Sequence, residues 1–196
     1  MKSAAIGVRM HSGWGVVVAV SNDGGRPNVI ARERIVVVDE KAGGKRQPYH
    51  FAKTMSLSAA EKYITRSKEE SQRLAREAIR ALAENLRSAG YRVACCALLT
   101  ASGRALPELA AILAAHPLIH TAEGEFFRGA ISEACGTLKI AVARVRERDA
   151  EKEVKARLGK PAGDAIKRIA NARKTLGAPW TQEHKKAALA AWMALR

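Results

Sequence analysis

Seven apolar residues in a row, Val93 to Leu99, lie between a long helical pattern and a polar, glycine-containing exit, Thr100-Ala101-Ser102-Gly103-Arg104. The run is too short for a typical helix and shows no alternation of apolar and polar side chains. A strand covered on both faces reads in this way. Such a strand needs helices above and below it, which makes the chain a layered α/β protein. A buried strand that empties into a polar loop is also where α/β proteins place ligands. Downstream, His116 and the stretch His120-Thr-Ala-Glu-Gly-Glu-Phe-Phe-Arg128 bring two histidines, two carboxylates and an arginine into thirteen residues.

The elements around this strand follow from local pattern. Ala4 to Met10 reads as a first strand, Ser12-Gly13-Trp14-Gly15 as a compact turn, and Gly15 to Val20 as a second, valine-rich strand, so the two form an antiparallel hairpin. Asn22-Asp23-Gly24-Gly25 is a further turn signal, and Val29 to Asp39 a third strand that completes a three-stranded meander. Ser58-Ala59-Ala60-Glu61 matches a capping box. From there a helix is expected to Ala89, broken near Thr65 to Lys68, with Leu74, Ala78, Ile79, Leu82 and Leu86 on one face and Gly90 as its stop. After the central strand come helices at about 107–115 and 122–138, the second capped by His120 or Thr121. Pro117 argues against one helix through both His116 and His120. Ile140 to Val145 is the fifth strand, and a charged helix runs to about Leu158.

A strand joined through a long helix to a buried strand implies a right-handed parallel crossover. The expected fold is α/β: a mixed sheet, antiparallel at the meander and parallel through strands one, four and five, with helices on its faces. Gly159-Lys160-Pro161-Ala162-Gly163 reads as a linker. It divides the chain into an α/β domain, residues 1–158, and a basic helical C-terminal extension, residues 159–196.

Charge narrows the partners. The chain carries 34 Lys+Arg against 19 Asp+Glu, a net +15, which favours a polyanion, nucleic acid above all. Residues 151–196 alone hold eleven Lys/Arg and four Asp/Glu. Within them Lys167, Arg168, Arg173 and Lys174 fall on the basic face of an amphipathic pattern with Ile166, Ile169 and Leu176. Cys95, Cys96 and Cys135 form no disulfide framework and no CxxC pair, which fits a reducing cytoplasm. The N-terminus has no adequate signal-peptide core, and no run approaches the ~20 apolar residues of a membrane span. Neither a phosphate-binding Gly-Lys-Ser/Thr loop nor a dinucleotide-binding glycine fingerprint nor a hydrolase nucleophile elbow is present.

The element order from Ala4 to Leu158 resembles the ribonuclease H-like superfamily, which includes ribonuclease H and Holliday-junction resolvases. The resemblance implies a sheet of this topology and a nuclease site in which acidic residues on the first strand, near the fourth strand and on the last helix hold a divalent metal. Here the first strand, AAIGVRM, has no acid; Arg9 and His11 stand in that neighbourhood, and the fourth strand ends in Thr100 and Ser102. Glu147 and Asp149, after the fifth strand, are the carboxylates placed to match the family's.

Three functions compete on these residues. The preferred one is nucleic-acid binding, DNA or RNA undistinguished, with a polar Arg/His/Glu site at the sheet edge. Arg9, Arg104, Arg128 and Arg144 offer forked donors for phosphate, and Lys167, Arg168, Arg173 and Lys174 add backbone contacts. The alternative is a metal-dependent phosphodiesterase in which His11, His120, Glu123 and Glu147 do the chemistry, with magnesium or manganese as cofactor under that reading alone. His116, His120, Glu123 and Glu125 offer imidazole and carboxylate donors to a transition metal. The third is a protein-interaction module, with neither activity. Trp14, in its glycine-flanked turn, is expected to cover the sheet edge, and Phe126 and Phe127 to be core.

Overall fold

The computed structural model describes residues 1–41, 43–101 and 105–196, with Leu158 in its backbone only. Strands β1 (Lys2–Met10), β2 (Trp14–Asp23) and β3 (Arg26–Val36) form the expected meander. Helices α1 (Pro48–Ala52) and α2 (Leu57–Ser88) lead to β4 (Tyr91–Thr100), which pairs parallel with β1. Helices α3 (Leu109–Ala114) and α4 (His116–Thr137) lead to β5 (Ala141–Arg146), parallel to β4. Four helices follow: α5 (Ala150–Leu158), α6 (Pro161–Asn171), α7 (Arg173–Leu176) and α8 (Gln182–Ala194). The strand order is β3-β2-β1-β4-β5, antiparallel in the meander and parallel thereafter, as the sequence pattern predicts.

Strand alternation divides the core into two layers. Ile6, Val8, Met10, Val17, Cys96 and Leu98 face α1, α2 and α4. Ala5, Val16, Val18, Val20, Ala97, Leu99 and Val145 face α5, α6 and α8. The segment after Gly159 therefore supplies much of the second layer: Ala187, Ala188, Ala190, Ala191 and Trp192 are buried against the sheet. Among the described residues no helix is long and apolar enough to cross a membrane.

Several local expectations are corrected. Helix α2 runs unbroken through Thr65 to Lys68, because Ser67 and Ser71 are buried and continue the stripe of Ala60, Ile64 and Ala75. It starts two residues earlier than the Ser58–Glu61 pattern suggests, with Ser56 at its N-cap, so no capping box forms there. Helix α4 begins at His116, not after Thr121, with Pro117 in its first turn. A proline there removes an N–H that has no helical partner, so it starts the helix instead of breaking it. His116 and His120 consequently stand one turn apart on the same face. The third strand ends at Val36, short of Asp39.

One contact sets the spacing between β1 and α8. A Cβ placed on Gly7 would lie 1.8 Å from the Ala187 carbonyl oxygen, so the helix backbone rests directly on the strand. The fit depends on a missing side chain on the strand and on alanines along the helix. Gly7→Ala is expected to destabilise the fold by about 1–3 kcal/mol in denaturant titration, the range for overpacking. Ala187→Gly should not rescue it, because the obstruction is backbone; a full rescue would contradict the backbone contact as the cause.

Candidate functional site

The carboxyl ends of β1, β4 and β5 gather a charged cluster around Arg9. Arg9 shares strand parity with Ala5 and Gly7 and so reaches toward α8. Its Nε lies 3.0 Å from Glu147 Oε2 and its Nη1 2.7 Å from Glu183 Oε1. Lys186 Nζ holds the other oxygen of Glu147 at 3.0 Å. The Glu147 N–H donates to the Thr100 carbonyl at 3.0 Å, which extends the β4–β5 ladder and fixes where that carboxylate stands. Glu183 and Lys186 are one helical turn apart on α8, positioned by the Gly7 contact.

His11 closes the cluster. Its Nε2 lies 2.7 Å from Arg9 Nη1 and 3.0 Å from Glu183 Oε1. With its proton on Nδ1 the ring accepts from Arg9; with it on Nε2 the ring donates to Glu183. The imidazole stacks on Trp14, centroids 4.1 Å apart and planes 9° apart, and the Arg34 guanidinium sits 4.8 Å from the Trp14 centroid. Trp14 thus covers the sheet end, as expected. On either side of it lie open grooves of about 470 and 430 Å³, the first including Arg46 and Gln47, the second Arg32, Glu183 and His184.

Burial raises the proton affinity of Glu147, but hydrogen bonds from Lys186 and Arg9 outweigh it and hold the carboxyl below its ordinary value. At the start of α8, His184 and Thr181 cap each other, the Thr181 N–H reaching His184 Nδ1 at 3.2 Å. Burial first, and then the positive charge of Arg32, lower the proton affinity of that ring, which keeps Nδ1 free to accept.

The residues that the sequence groups as one site fall into separate clusters. His11 and Glu147 join Arg9, whereas His120 and Glu123 belong to the opposite face of the sheet. There His120 Nε2 lies 3.0 Å from His116 Nε2, and buried Glu123 accepts from the His50 ring Nδ1 at 3.0 Å and from the His50 backbone N–H at 3.2 Å. Glu125 is engaged elsewhere, by Arg128 at 2.8 Å and Arg144 at 3.4 Å, so those two arginines do not converge on Arg9. Arg104, with Ser102 and Gly103, lies outside the described residues. Asp149 sits at the N-cap of α5. Lys167, Arg168, Arg173 and Lys174 are placed on α6 and α7, and all four are exposed.

Sequence reasoning misses Glu183, Lys186 and His50. The N-cap signal Pro179-Trp180-Thr181 places Glu183 in the first turn of a helix, but not on which side of the sheet. His50 follows Pro48 in a segment without periodicity.

The divalent metal implied by the fold resemblance requires carboxylates free to face a cation. Around Arg9 two carboxylates are matched by two fixed cations, and a guanidinium stands at the first-strand position. These residues do not fit that metal.

No protein-family model matches the chain, and no curated protein sequence matches it. Among solved structures, RuvC of Thermus thermophilus is similar, with a TM-score of 0.51 at 12% identity over 96% of this chain and 91% of that one. T. thermophilus RuvC in complex with a Holliday junction substrate gives a TM-score of 0.51 at 11% identity, over 97% and 90% of the two chains. The fold is ribonuclease H-like.

The pairing of Glu147 carries a pH signature. Its native proton affinity is lowered, so on acidification the unfolded chain takes up this proton first. The stabilisation is complete above the ordinary carboxylate range and is lost as pH falls through the native value. Denaturant titrations between about pH 6 and pH 3 should show a shallower loss of stability for Glu147→Gln than for the wild type. Superimposable acid slopes would mean that the pairing does not bias folding.

Proposed function

We propose that this chain binds nucleic acid through basic side chains around the carboxyl end of its sheet and on its C-terminal helices, and that it does so without the metal-assisted cleavage of nucleases that share its fold. The observation that carries this reading is Arg9. The first-strand position presents a guanidinium bonded to Glu147 and Glu183, where a nuclease of this fold presents an acid to metal.

Three further features support it. The net charge of +15 suits a polyanion. A similar structure is described as RuvC with a Holliday junction substrate, so the fold can carry that kind of ligand. The basic side chains Lys167, Arg168, Arg173 and Lys174 stand on the helices that lead to the groove beside Trp14, whose wall includes Pro179 and Thr181. Arg32 binds the chain there, donating to the Leu176 carbonyl at 2.9 Å and the Ala178 carbonyl at 2.7 Å. Helix α7 is thereby anchored over β3. Phosphate contacts of this kind position a nucleic acid without reading its sequence.

The test is fluorescence anisotropy with labelled four-way junction, duplex and single-stranded DNA and RNA over a range of salt, with magnesium or manganese added or omitted. Binding should be steeply salt-dependent, should not require the added metal, and should be free of cleavage. Replacing Lys167, Arg168, Arg173 and Lys174 by glutamine should weaken it and flatten the log–log salt slope by roughly 0.9 for each phosphate that the variant no longer neutralises. An unchanged slope would remove the C-terminal helices from the interface. Metal-dependent cleavage would favour the phosphodiesterase reading instead, and salt-independent or absent binding would point to a protein-interaction module.

A further inference from the structure

The histidine cluster on the opposite face of the sheet is separate from the Arg9 site. His50 lies on α1, and His116 and His120 lie one turn apart at the start of α4. One nitrogen from each of the three falls within 4.8 Å of the others. The rings are mutually close, with centroids 5.1 Å apart for His50–His116, 4.8 Å for His50–His120 and 4.4 Å for His116–His120.

The buried carboxylate behind them is the second observation. Glu123 is 4% exposed, and its Oε1 receives both the His50 backbone N–H and the His50 ring Nδ1. With Nδ1 donating, Nε2 of His50 keeps its lone pair. A carboxylate that holds a histidine in this way fixes its tautomer and ring orientation and makes it a better donor to a metal.

We propose that His50, His116 and His120 form a three-imidazole site for a divalent transition metal of the zinc class, with Glu123 as the group that positions His50. Neutral imidazole suits zinc and its neighbours, and three histidines leave a coordination position open for water or an anionic ligand. In a tetrahedral zinc site ligand nitrogens stand about 3.3 Å apart, so a small rotation of exposed rings brings the present spacing into range. His116 and His120 are exposed, which leaves the open position facing solvent. The ion also ties α1, a five-residue helix, to α4. So short a helix depends on such contacts.

The site does not depend on the nucleic-acid reading, and its test uses metal alone. Zinc or Co(II) is titrated into metal-free full-length protein, followed by calorimetry, by the ligand-field absorption of Co(II) and by thermal unfolding. One ion per chain, tetrahedral Co(II) bands and a melting temperature that rises with free metal are expected. His116→Ala with His120→Ala, both at exposed positions that leave the core intact, should abolish uptake. Glu123→Gln should weaken it about 10–100-fold while His50 still ligates. Failure to take up one ion per chain at micromolar metal, half an ion per chain (a site formed between two molecules), or uptake that survives the double replacement would each overturn the site. Unchanged affinity in Glu123→Gln would overturn the role of the carboxylate.

Discussion

The close approach of α8 to β1 governs the chemistry at this end of the sheet. Because residue 7 has no Cβ, the Ala187 carbonyl can rest on the strand. In the helical turn just before it, Glu183 and Lys186 then arrive above Arg9 and Glu147. Were the helix held a few ångströms farther out, Arg9 and Glu147 would keep only each other, in a place where burial is tolerated only for paired charges. Apolar packing therefore sets the electrostatics here. A helix of small residues can approach closely enough to deliver its charged first turns to the strand ends, and a helix of leucines at the same positions could not.

The resulting network is closed as well as neutral. Each of these pairs is partly exposed and contributes little by itself. Their joint effect is to fix geometry, since a guanidinium is planar, permanently charged and able to hold two carboxylates at once. A metal ion drawn to Glu147 and Glu183 would have to displace a cation that is covalently part of β1 and cannot diffuse away. The fold and the charge at its best-placed site therefore point in different directions. Topology is ribonuclease H-like, while the first strand carries a fixed cation of its own between the two carboxylates. Function follows from the site and not from the topology that carries it.

Legibility in the sequence tracks how local the determining interaction is. The Val93–Leu99 strand, the meander and the parallel pairing are readable because apolar runs and turn residues act within a few positions. Helix α2 reads as broken at Thr65 to Lys68 because Ser67 and Ser71 have polar side chains and yet are buried, and hydropathy cannot register that burial. Pro117 reads as a breaker because its effect depends on where the helix begins; at the second position it is harmless and in the interior disruptive. The alanines of α8 are mute on their own, being as compatible with an exposed helix as with a helix backbone resting on a strand. The pairing of His50 with Glu123, and of Glu183 with Arg9, arises only when distant segments meet.

Helix α4 ends where β5 begins, so its first turn lies at the carboxyl end of the parallel strands, level with the Arg9 cluster and on the other side of the sheet. The two faces settle the same electrostatic problem by different means. Glu147 and Glu183 are neutralised by arginine and lysine, side chains this basic protein has in excess. Glu123 lies deeper than either, and both of its hydrogen bonds come from a single histidine. A chain with 34 cationic residues could have supplied one to it. An imidazole in that place compensates the buried charge fully only if the ring carries positive charge itself or passes the carboxylate's influence to a cation at its far nitrogen. Two more imidazoles stand at that far side, neither carrying a fixed charge. A divalent ion among them would balance the buried carboxylate as the lysine and arginine balance their partners across the sheet.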